Sequence, residues 1–586
     1  MGNKQNSQTS IRKLPVQSIS IFLALTFVYA AMPVMAHRPR FQALQTPATK
    51  SSSAAQVQAP SPSPFASPSP SPTAQASPAV RPALQTKTSV TTKTLPELQA
   101  SISEILRKPE LAQATIGVKV ASLDTGKVMF EENAIKLLRP ASNMKLYTVA
   151  TALDRLSPDY RYVTSVYASA RPDAAGVVRG DLTIYGRGDP SLAARFNNGD
   201  YFKGINDLAN RIVAAGVKRV EGDLVGDESY FSGAQYGSGW EWEDLTWYYG
   251  AEISALTTND NSLDLFVKPG SEVGSKGVIT TGPPDPLLTI VNKVMTGAKG
   301  TRRDLTIQRD LGKDLLTVRG NIAIDDRGYT GGVAISHPAL LFVYLLRDSL
   351  AQKGVSFTGR SRTTGGDSQA LLTPGTIVIS STNGLANTTQ EAAKTEIASL
   401  QSPPLSVIAA HTLKPSQNLY TELILRTLGR AFPQTTSANQ FQTTEDAGLS
   451  VVKTFLRDAG VVPESLVLSD GSGLSRNDMV TADATVQLLT FMSKHRYGDV
   501  FRAALPIAGV DGTLRNRMKG TVAEKNLRAK TGSLSSAASL SGYVTSAAGE
   551  NLVFSVIVNN YPEDVEARGV PDAIGVLLAS FAGRSQ

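Results

Sequence analysis

A serine and a lysine one helical turn apart constrain this chain more than any other feature of its sequence. Ser142 and Lys145 lie near the start of residues 138–153, where apolar side chains recur at helical spacing and Pro140 favours a first turn. Side chains three residues apart share one face of a helix. A serine hydroxyl is a weak nucleophile until a base takes its proton, and a lysine that burial or a nearby cation holds neutral can be that base. The pair therefore predicts a nucleophilic serine, although Ser-x-x-Lys alone is common by chance.

Two further motifs downstream give this pair its meaning. Both are short tripeptides that carry a hydroxyl, amide or ammonium group: Ser416-Gln417-Asn418 and Lys530-Thr531-Gly532. The set S-x-x-K, S-D-N and K-T-G occurs together in penicillin-binding proteins and class A β-lactamases. Here the three motifs follow one another in that order. Their agreement favours a catalytic pair over a chance occurrence.

With these motifs, the chain resembles the class C low-molecular-mass penicillin-binding proteins, a D-alanyl-D-alanine carboxypeptidase/endopeptidase family. The resemblance covers about residues 95–584 and includes four further segments: Tyr249-Gly250-Ala251, Ser254-Ala255-Leu256, residues 470–475 and residues 509–514. The separation of 274 positions between Ser142 and Ser416 also fits this family, whose extra domains lie between the first two motifs. Class A β-lactamases have no room for such an insertion. One departure is Gln417, where the family motif often has Asp.

The resemblance implies a fold and a set of partners. The expected fold class is α/β (α+β), a penicillin-binding/serine β-lactamase-like transpeptidase domain with large, mostly β inserted domains. The expected partners are peptidoglycan stem peptides, hydrolysed at the terminal D-Ala-D-Ala bond or at a cross-link, and β-lactams, which would acylate the enzyme. We expect no cofactor and no metal, because the chain has no cysteine and no His-x-x-x-His or comparable cluster at ligand spacing.

The resemblance also implies a role for each motif residue. Ser142 would attack the carbonyl of the terminal D-Ala-D-Ala bond, with Lys145 as the base, and Ser416 would relay a proton to the leaving amine. Lys530 would hold the relay and keep Lys145 partly neutral, and Asn418 would bind the substrate amide. The strand with Thr531, Gly532 and Ser533 would lie along the substrate carboxylate. Asp244 and Arg476 would receive the charged end of the stem-peptide side chain.

The net charge of +8 would indicate a nucleic-acid or membrane partner if it were spread over the fold. Residues 1–95 contain nine Lys or Arg and no Asp or Glu, so residues 96–586 together carry a net charge of −1. The basic character thus belongs to the N-terminal segment, and no nucleic-acid partner is expected.

Residues 1–36 have the pattern of an export signal. Three cationic residues precede an apolar run over about residues 19–32, and Val34-Met35-Ala36 forms a small-x-small cleavage pattern. Residues 37–94 are rich in Pro, Ser, Ala, Thr and Gln and are expected to form a disordered spacer. We therefore expect a protein exported to a periplasm or cell-wall space, and associated with the membrane only if the N-terminal segment stays uncleaved.

The remaining chain divides by its pattern of elements. The sequence predicts a helix at 97–106, a hairpin across 116–130, and strands between Gly, Asp and Asn turns from about 160, including one strand at 219–225. Helices dominate from about 404, before a last hairpin and a closing helix. The predicted divisions are an N-terminal catalytic segment (95–160), inserted β-rich domains (161–385) and a C-terminal catalytic segment (386–586). One sheet of N- and C-terminal strands is expected to join the two catalytic segments.

Three alternatives stay open on the residues alone. A Ser-His-Asp hydrolase would need a histidine, and His411 is close to Ser416 in sequence, but no Gly-x-Ser-x-Gly elbow supports that pairing. A serine β-lactamase would differ only in how fast the acyl-enzyme is hydrolysed. A non-enzymatic penicillin- or peptidoglycan-binding module would be marked by the loss of Ser142 or Lys145, and both residues are present.

Overall fold

The computed structural model describes residues 91–310, 313–365, 369–373, 376–380, 394–433, 442–562 and 564–586. The expected signal peptide, and all but the last four residues of the expected spacer, lie outside these ranges. Within them, no helix has the length and apolar character needed to cross a bilayer.

The described residues form both α-helices and β-strands. The α-helices are α1 (Leu95–Leu106), α2 (Met144–Leu156), α3 (Lys203–Ala214), α4 (Pro338–Gln352), α5 (Leu405–Leu413), α6 (Asn418–Ala431), α7 (Thr444–Asp458), α8 (Ala482–Lys494), α9 (Gly498–Ala504) and α10 (Gly569–Ser580). The β-strands are β1 (Thr115–Ser122), β2 (Val128–Glu132), β3 (Val163–Ala168), β4 (Val177–Arg179), β5 (Leu182–Tyr185), β6 (Arg219–Glu221), β7 (Leu224–Asp227), β8 (Ser262–Lys268), β9 (Val278–Gly282), β10 (Thr289–Gly297), β11 (Asp304–Arg309), β12 (Leu315–Ala323), β13 (Tyr329–Ala334), β14 (Ser356–Phe357), β15 (Ser361–Thr364), β16 (Gln369–Thr373), β17 (Thr376–Ser380), β18 (Thr395–Gln401), β19 (Arg528–Leu534), β20 (Ala537–Thr545) and β21 (Asn551–Asn559).

A five-stranded antiparallel sheet joins the two ends of the described chain. Its order is β19-β20-β21-β1-β2, so strands from the N-terminal and C-terminal segments share it, which confirms that expectation. Both faces are buried. On β21, Phe554 and Val556 pack with α1 and α10, whereas Val553 and Ile557 pack with the helical region. A strand covered on both faces reads as a continuous apolar run, as residues 552–558 do.

The helix that follows the Ser142 turn lies at the centre of the helical region. In α2, every residue from Met144 to Leu153 is buried, and the helix packs against α5, α6, α7 and α9. A helix that is buried on all sides cannot shift without repacking its neighbours. Polar groups inside this core are satisfied locally: Thr148 Oγ1 donates to Gly471 O at 2.8 Å. The core thus fixes the position of the residues at the start of α2.

Most of the chain between α2 and α5 forms four further sheets. The largest has the order β17-β16-β15-β7-β5-β3-β18, and α3 and α4 pack against it. The other three contain three strands each: β10-β12-β11, β13-β8-β9 and β14-β6-β4. Because β18 pairs with β3 over most of its length, we propose that the inserted region extends to Gln401, beyond the boundary at residue 385 that the sequence suggested.

The prediction of a single strand at 219–225 is wrong. Residues 219–221 form β6 and residues 224–227 form β7, in two different sheets. The break falls at Gly222, where an added Cβ would lie 2.3 Å from the backbone of Gly180. This close approach of two chain segments turns the backbone between the strands.

Candidate active site

Ser142 lies in a 3-10 turn, Ala141–Asn143, that leads directly into α2. The sequence places Ser142 on the helix itself, and the structure places it in the turn before the helix. Its side chain still meets the lysine, since Lys145 Nζ lies 2.9 Å from Ser142 Oγ. Ala141, the preceding residue, has a left-handed φ of 47°. A non-glycine residue in that region costs about 1–2 kcal/mol, and such strain concentrates at functional sites.

The Lys145 ammonium group is enclosed completely, with a side chain that is not exposed at all. Besides Ser142 Oγ, its Nζ donates to Asn418 Oδ1 at 2.6 Å and to Ser472 O at 2.7 Å. Burial lowers the pKa of Lys145 to about 7, although nearby carboxylates, Asp470 first among them, act in the opposite direction. A neutral amine has two N–H groups, which the two carbonyl oxygens use, and a lone pair that remains for the Ser142 hydroxyl. This arrangement is that of a base ready to accept a proton.

A second lysine and serine form the next contact in the site. Lys530 Nζ donates to Ser416 Oγ and to Thr531 O, each at 2.8 Å. Lys530 is fully buried, and burial, together with the charges of Lys145 and Arg517, holds its pKa well below the usual range. Ser416 has a left-handed φ of 66°, a second strained position beside a reactive side chain. The structure therefore pairs each lysine with one serine.

Asn418 connects the two halves of the site. It is the first residue of α6, and its Nδ2 donates to Tyr249 O at 2.8 Å while its Oδ1 accepts from Lys145. Gln417, the departure from the family motif, is the N-cap of α6, and its Oε1 accepts a hydrogen bond from Leu419 N at 3.1 Å. A side-chain carbonyl can serve this capping role as a carboxylate would. The substitution thus preserves the helix start that positions Asn418.

Strand β19 is pressed against the turn that carries Ser142. At Gly532, an added Cβ would lie 2.2 Å from Ser539 Oγ and 2.5 Å from Pro140 O, so only glycine fits there. Thr531 Oγ1 lies 2.7 Å from Thr513 Oγ1, which joins β19 to the turn at residues 512–514. The neighbouring Ser533 is exposed on the rim of the cleft.

A loop between α7 and α8 forms another part of the cleft wall, and one carboxylate, Asp470, organises it. Asp470 accepts hydrogen bonds from the backbone N–H groups of Ser472, Gly473 and Ser475 at 3.0, 2.6 and 2.9 Å. Trp240 Nε1, from the inserted region, donates to the same carboxylate at 2.9 Å. Since Ser472 O accepts from Lys145, Asp470 fixes one of the two carbonyl groups that orient the base.

A second carboxylate lies beneath that loop. Glu422 is fully buried on α6, one helical turn after Asn418, and its Oε1 accepts from Gly471 N at 3.1 Å. Burial and the neighbouring Asp470 raise its pKa well above the usual range. No role was predicted for either carboxylate from the sequence, although Asp470 begins the segment 470–475 that the resemblance includes. The signals were the Asp-Gly-Ser-Gly turn at residue 470 and the spacing of four residues from Asn418 to Glu422.

Asp244 and Arg476, which are 232 positions apart in sequence, form an ion pair in the structure. Arg476 also lies 3.1 Å from Glu241 Oε2 and donates to Leu474 O at 2.9 Å. Burial raises the pKa of the Asp244 carboxyl, an effect that Arg476 opposes. The pair therefore joins the inserted region to the loop that begins at Asp470.

These elements surround a cleft of about 1390 Å³. Seven of the ten residues predicted for the site line it: Ser142, Asp244, Ser416, Asn418, Arg476, Thr531 and Ser533. The other three, Lys145, Lys530 and Gly532, are buried behind that lining. A cleft of this size admits a peptide, and both serines of the motifs, Ser142 and Ser416, line it.

His411 does not complete a serine-histidine pair. It lies on the cleft wall and packs against Phe196, with ring centroids 4.2 Å apart, and burial lowers its pKa. Within the described residues it makes no hydrogen bond to Ser142 or Ser416. His495, the histidine with a carboxylate partner at 3.0 Å, bonds to Asp154. The base that contacts Ser142 is Lys145.

The geometry agrees with what known proteins show. The sequence matches the D-Ala-D-Ala carboxypeptidase 3 (S13) family over residues 98–373 and 368–581. It is 35% identical over 501 residues to a D-alanyl-D-alanine carboxypeptidase of Actinomadura sp., covering 83% of this chain and 86% of that protein. It is 25% identical over 477 residues to the D-alanyl-D-alanine carboxypeptidase DacB of Haemophilus influenzae, covering 80% and 90%.

The fold has a solved counterpart. The crystal structure of penicillin binding protein 4 (dacB) from Haemophilus influenzae superposes with a TM-score of 0.66 at 22% identity, over 81% of this chain and 97% of that one. At this identity the likeness establishes the fold, which is the mixed α/β architecture expected from the sequence. The family match spans both sides of the insertion and includes Ser142, Ser416 and Lys530. This chain belongs to the D-Ala-D-Ala carboxypeptidase 3 (S13) family of serine peptidases.

Proposed function

We propose that this protein hydrolyses D-alanyl-D-alanine bonds of peptidoglycan stem peptides, as a carboxypeptidase with or without endopeptidase action, and that penicillins acylate it. The observation that carries this proposal is the contact between Ser142 Oγ and a fully buried Lys145 whose pKa is lowered to about 7. A lysine in that state is a general base near neutral pH, and the serine is the group that it activates.

In the acylation step, Ser142 Oγ attacks the carbonyl carbon before the terminal D-alanine. Lys145 Nζ takes the hydroxyl proton with the lone pair that its two carbonyl partners leave unused. The attack forms a tetrahedral centre, whose oxyanion would lie against the backbone N–H groups of Ser142 and Ser533. Donors aimed at that oxygen stabilise charge that develops only in the transition state.

Collapse of the tetrahedral centre needs a proton on the leaving amine. Ser416 Oγ is the donor in this proposal: it gives its proton to the amine and takes one from the protonated Lys145, which becomes neutral again, while Lys530 Nζ holds the Ser416 hydroxyl at 2.8 Å. The cleaved C–N bond leaves an ester on Ser142 and free D-alanine or, at a cross-link, a peptide. Water then attacks the ester with Lys145 again as the base, and Ser142 regains its hydroxyl group.

Two pairs of contacts orient the substrate. Thr531 and Ser533 would bind the carboxylate of the leaving residue along β19. Asp244 and Arg476 would meet the charged end of the stem-peptide side chain, since their pair lies on the cleft wall with Glu241 beside it. Asn418 would hold the substrate amide. A site with charges of both signs suits a zwitterionic group better than a simple cation or anion.

We also propose that the protein is exported, to a periplasm or cell-wall space where its substrate is found. Support comes from the cationic and apolar pattern of residues 1–36 and from the small-x-small pattern at Val34-Met35-Ala36. Residues 37–94 would then separate the leader from the catalytic domain.

The proposal is tested by incubating the purified protein with a synthetic stem pentapeptide and with cross-linked muropeptides. Released D-alanine and cleaved cross-links are separated and quantified by mass spectrometry. We expect D-alanine release from the pentapeptide, and its loss in Ser142→Ala. Failure of the wild-type protein to cleave either substrate would overturn the proposal, and the ratio of the two products reports the balance of carboxypeptidase and endopeptidase action.

A further inference from the structure

The cationic side chains of the cleft divide into paired and unpaired ones. Four of them contact a carboxylate: Arg195 with Asp260, Lys414 with Asp511, Arg476 with Asp244, and Arg517 with Asp572. The remaining two, Arg515 and Arg568, are exposed and line the same cleft. Within the described residues, neither has an ion-pair partner. Their guanidinium groups are therefore available to a ligand.

Both arginines lie on the β19 side of the cleft. Arg515 directly follows the turn at residues 512–514, which the contact between Thr513 and Thr531 holds against β19 at 2.7 Å. Thr513 N also donates to Lys414 O at 2.9 Å, so the turn is anchored on two sides. Arg515 thus projects from a fixed platform, two residues beyond a side chain that contacts the proposed carboxylate site.

Arg568 is tied to the same platform through Arg517. The guanidinium group of Arg517 forms a two-pronged ion pair with Asp572 of α10, at 2.6 and 2.9 Å, and its Nη2 donates to Arg568 O at 3.5 Å. Asp244 is held by Arg476, which is bonded to Leu474 O on the loop that begins at Asp470. Within the residues that the structure describes, the cleft thus carries its unpaired positive charge on elements anchored to β19, whereas the ion pair of Asp244 is on the loop from Asp470.

This asymmetry matters because of the direction in which a substrate would lie. In the proposed function, the carboxylate of the leaving residue follows Thr531 and Ser533. When the leaving group is free D-alanine, it has no atoms beyond that carboxylate. The leaving group of a cross-link continues into a second peptide that bears further carboxylates. Arginine is the side chain best suited to a carboxylate, because its planar group donates two parallel hydrogen bonds.

We propose that Arg515 and Arg568 form a leaving-group subsite for an anionic peptide. This inference rests on the proposed function and deepens it: the subsite favours substrates whose leaving group carries a carboxylate beyond that of the leaving residue, which is a property of cross-linked stem peptides. No new bond is made or broken there, and the two guanidinium groups act by attraction and hydrogen bonding alone.

The test uses two synthetic peptides with the same acyl part, one ending in D-Ala-D-Glu and one in D-Ala-D-Gln. Their leaving groups have nearly the same shape and differ in one negative charge. For the wild-type protein we expect kcat/KM to be about two- to five-fold higher for the D-Glu peptide, the size typical of a solvent-exposed ion pair, and the preference to shrink at high salt. The ratio cancels any loss that affects both peptides equally.

In the variant with Arg515→Gln and Arg568→Gln together, we expect the ratio to fall to about one, and each single substitution to lower it in part. Arg107→Gln is the matched control, since Arg107 is exposed at the end of α1 and does not line the cleft. It should keep the wild-type ratio. The single variants keep the test decisive if the double variant does not fold.

A wild-type ratio of one, or a ratio that the arginine variants leave unchanged, would overturn the subsite while the proposed function stands. A wild-type protein that hydrolyses neither these peptides nor the D-Ala-D-Ala parent would overturn the proposed function, and the subsite with it. Cleavage of cross-linked muropeptides gives a second readout: the arginine variants should lose more of it than of D-alanine release from the pentapeptide.

Discussion

At the scale of single residues, the site contains two buried lysines, and within the described residues neither forms a direct ion pair with a carboxylate. Lys145 and Lys530 are both fully buried, and burial is the largest cause of the lowered pKa of each. A buried cation is expensive, so each lysine favours its neutral form. The hydrogen-bond partners of both lysines are uncharged oxygen atoms. Lys145 bonds to Asn418 Oδ1 and Ser472 O, and Lys530 bonds to Ser416 Oγ and Thr531 O.

This environment predicts how the reaction depends on pH. Only the neutral amine of Lys145 can take the Ser142 proton, and its fraction grows as the pH rises through its pKa of about 7. The rate of acylation by a penicillin should therefore rise from about pH 5.5 and level off above about pH 8. A rate that is already constant in mildly acidic buffer, or that climbs throughout the alkaline range, would contradict the lowered pKa.

Lys145→Ala tests the same base by removing it. The helix should remain folded, because alanine fits any helix position. Acylation should fall by about 10²–10⁴-fold, the usual contribution of a general base, and the residual rate should lose its pH dependence near neutrality. Circular dichroism checks the fold. A folded variant that still acylates at the wild-type rate would exclude Lys145 as the base.

The sequence predicted these side chains well because each lies in a short motif with its own spacing. Ser142 and Lys145 needed only a helical turn to meet. What surrounds them could not be predicted in the same way. Asp470 and Glu422 lie near the base on two different elements, and nothing in the local sequence shows that both carboxylates are buried. Burial of that kind depends on how the loop packs onto α6, which is a tertiary property.

At the scale of elements, the site depends on close contacts between backbone segments. The loop from Asp470 touches the Ser142 turn at Gly473, where φ is 77° and an added Cβ would lie 1.9 Å from Ala141 O. Glycine meets both demands, a left-handed conformation and the absence of a side chain. This contact positions the strained Ala141, and through it the nucleophile.

Gly473→Ala should therefore lower both stability and acylation. The matched control is Gly520→Ala, because Gly520 has a similar φ of 71° but nothing lies within 4 Å of its added Cβ. Both variants carry the cost of a left-handed alanine, about 1–2 kcal/mol of unfolding free energy. Only Gly473→Ala displaces Ala141, so only this variant should acylate more slowly. Thermal unfolding and penicillin acylation measure the two effects, and equal acylation by both variants would contradict this role of Gly473.

Elements with a clear period or a clear turn were predicted from the sequence. The β1–β2 hairpin and the β20–β21 hairpin occur as predicted, since alternating or continuous apolar runs flank short polar turns. Helix α3 was missed, although Ile205, Leu208 and Ile212 repeat at helical spacing on its buried face. Its glycine and asparagine residues resemble the turns around it. The strands β18 and β3 pair although the whole insertion separates them in sequence, which no local pattern reports.

At the scale of the whole molecule, the inserted region contributes to the cleft. Asp244, Trp240 and Tyr249 all come from the long segment between the first two motifs, and each contacts a residue of the loop from Asp470 or of α6. The insertion is therefore a wall of the site. An insertion that lay apart from the site would not form a hydrogen bond with Asn418.

Asp244→Ala tests whether that part of the wall binds the substrate. If Asp244 and Arg476 bind the charged end of the stem peptide, the substitution should lower peptide hydrolysis more than penicillin acylation, because penicillin lacks that group. Glu243→Ala is the neighbouring control. Glu243 lines the cleft next to Asp244, and its loss should change either rate by less than about two-fold, as for a typical surface substitution. Equal losses on both substrates in Asp244→Ala would assign the pair a structural role.

The central claim is that Ser142 is the nucleophile of a penicillin-binding serine peptidase. Its most direct test is incubation of the full chain and of Ser142→Ala with a labelled penicillin, followed by peptide mapping of the adduct. We predict one adduct per wild-type molecule, on the peptide that contains Ser142, and none in the variant. A covalent adduct that persists in Ser142→Ala, or an adduct on Ser416 in the wild-type protein, would contradict the claim.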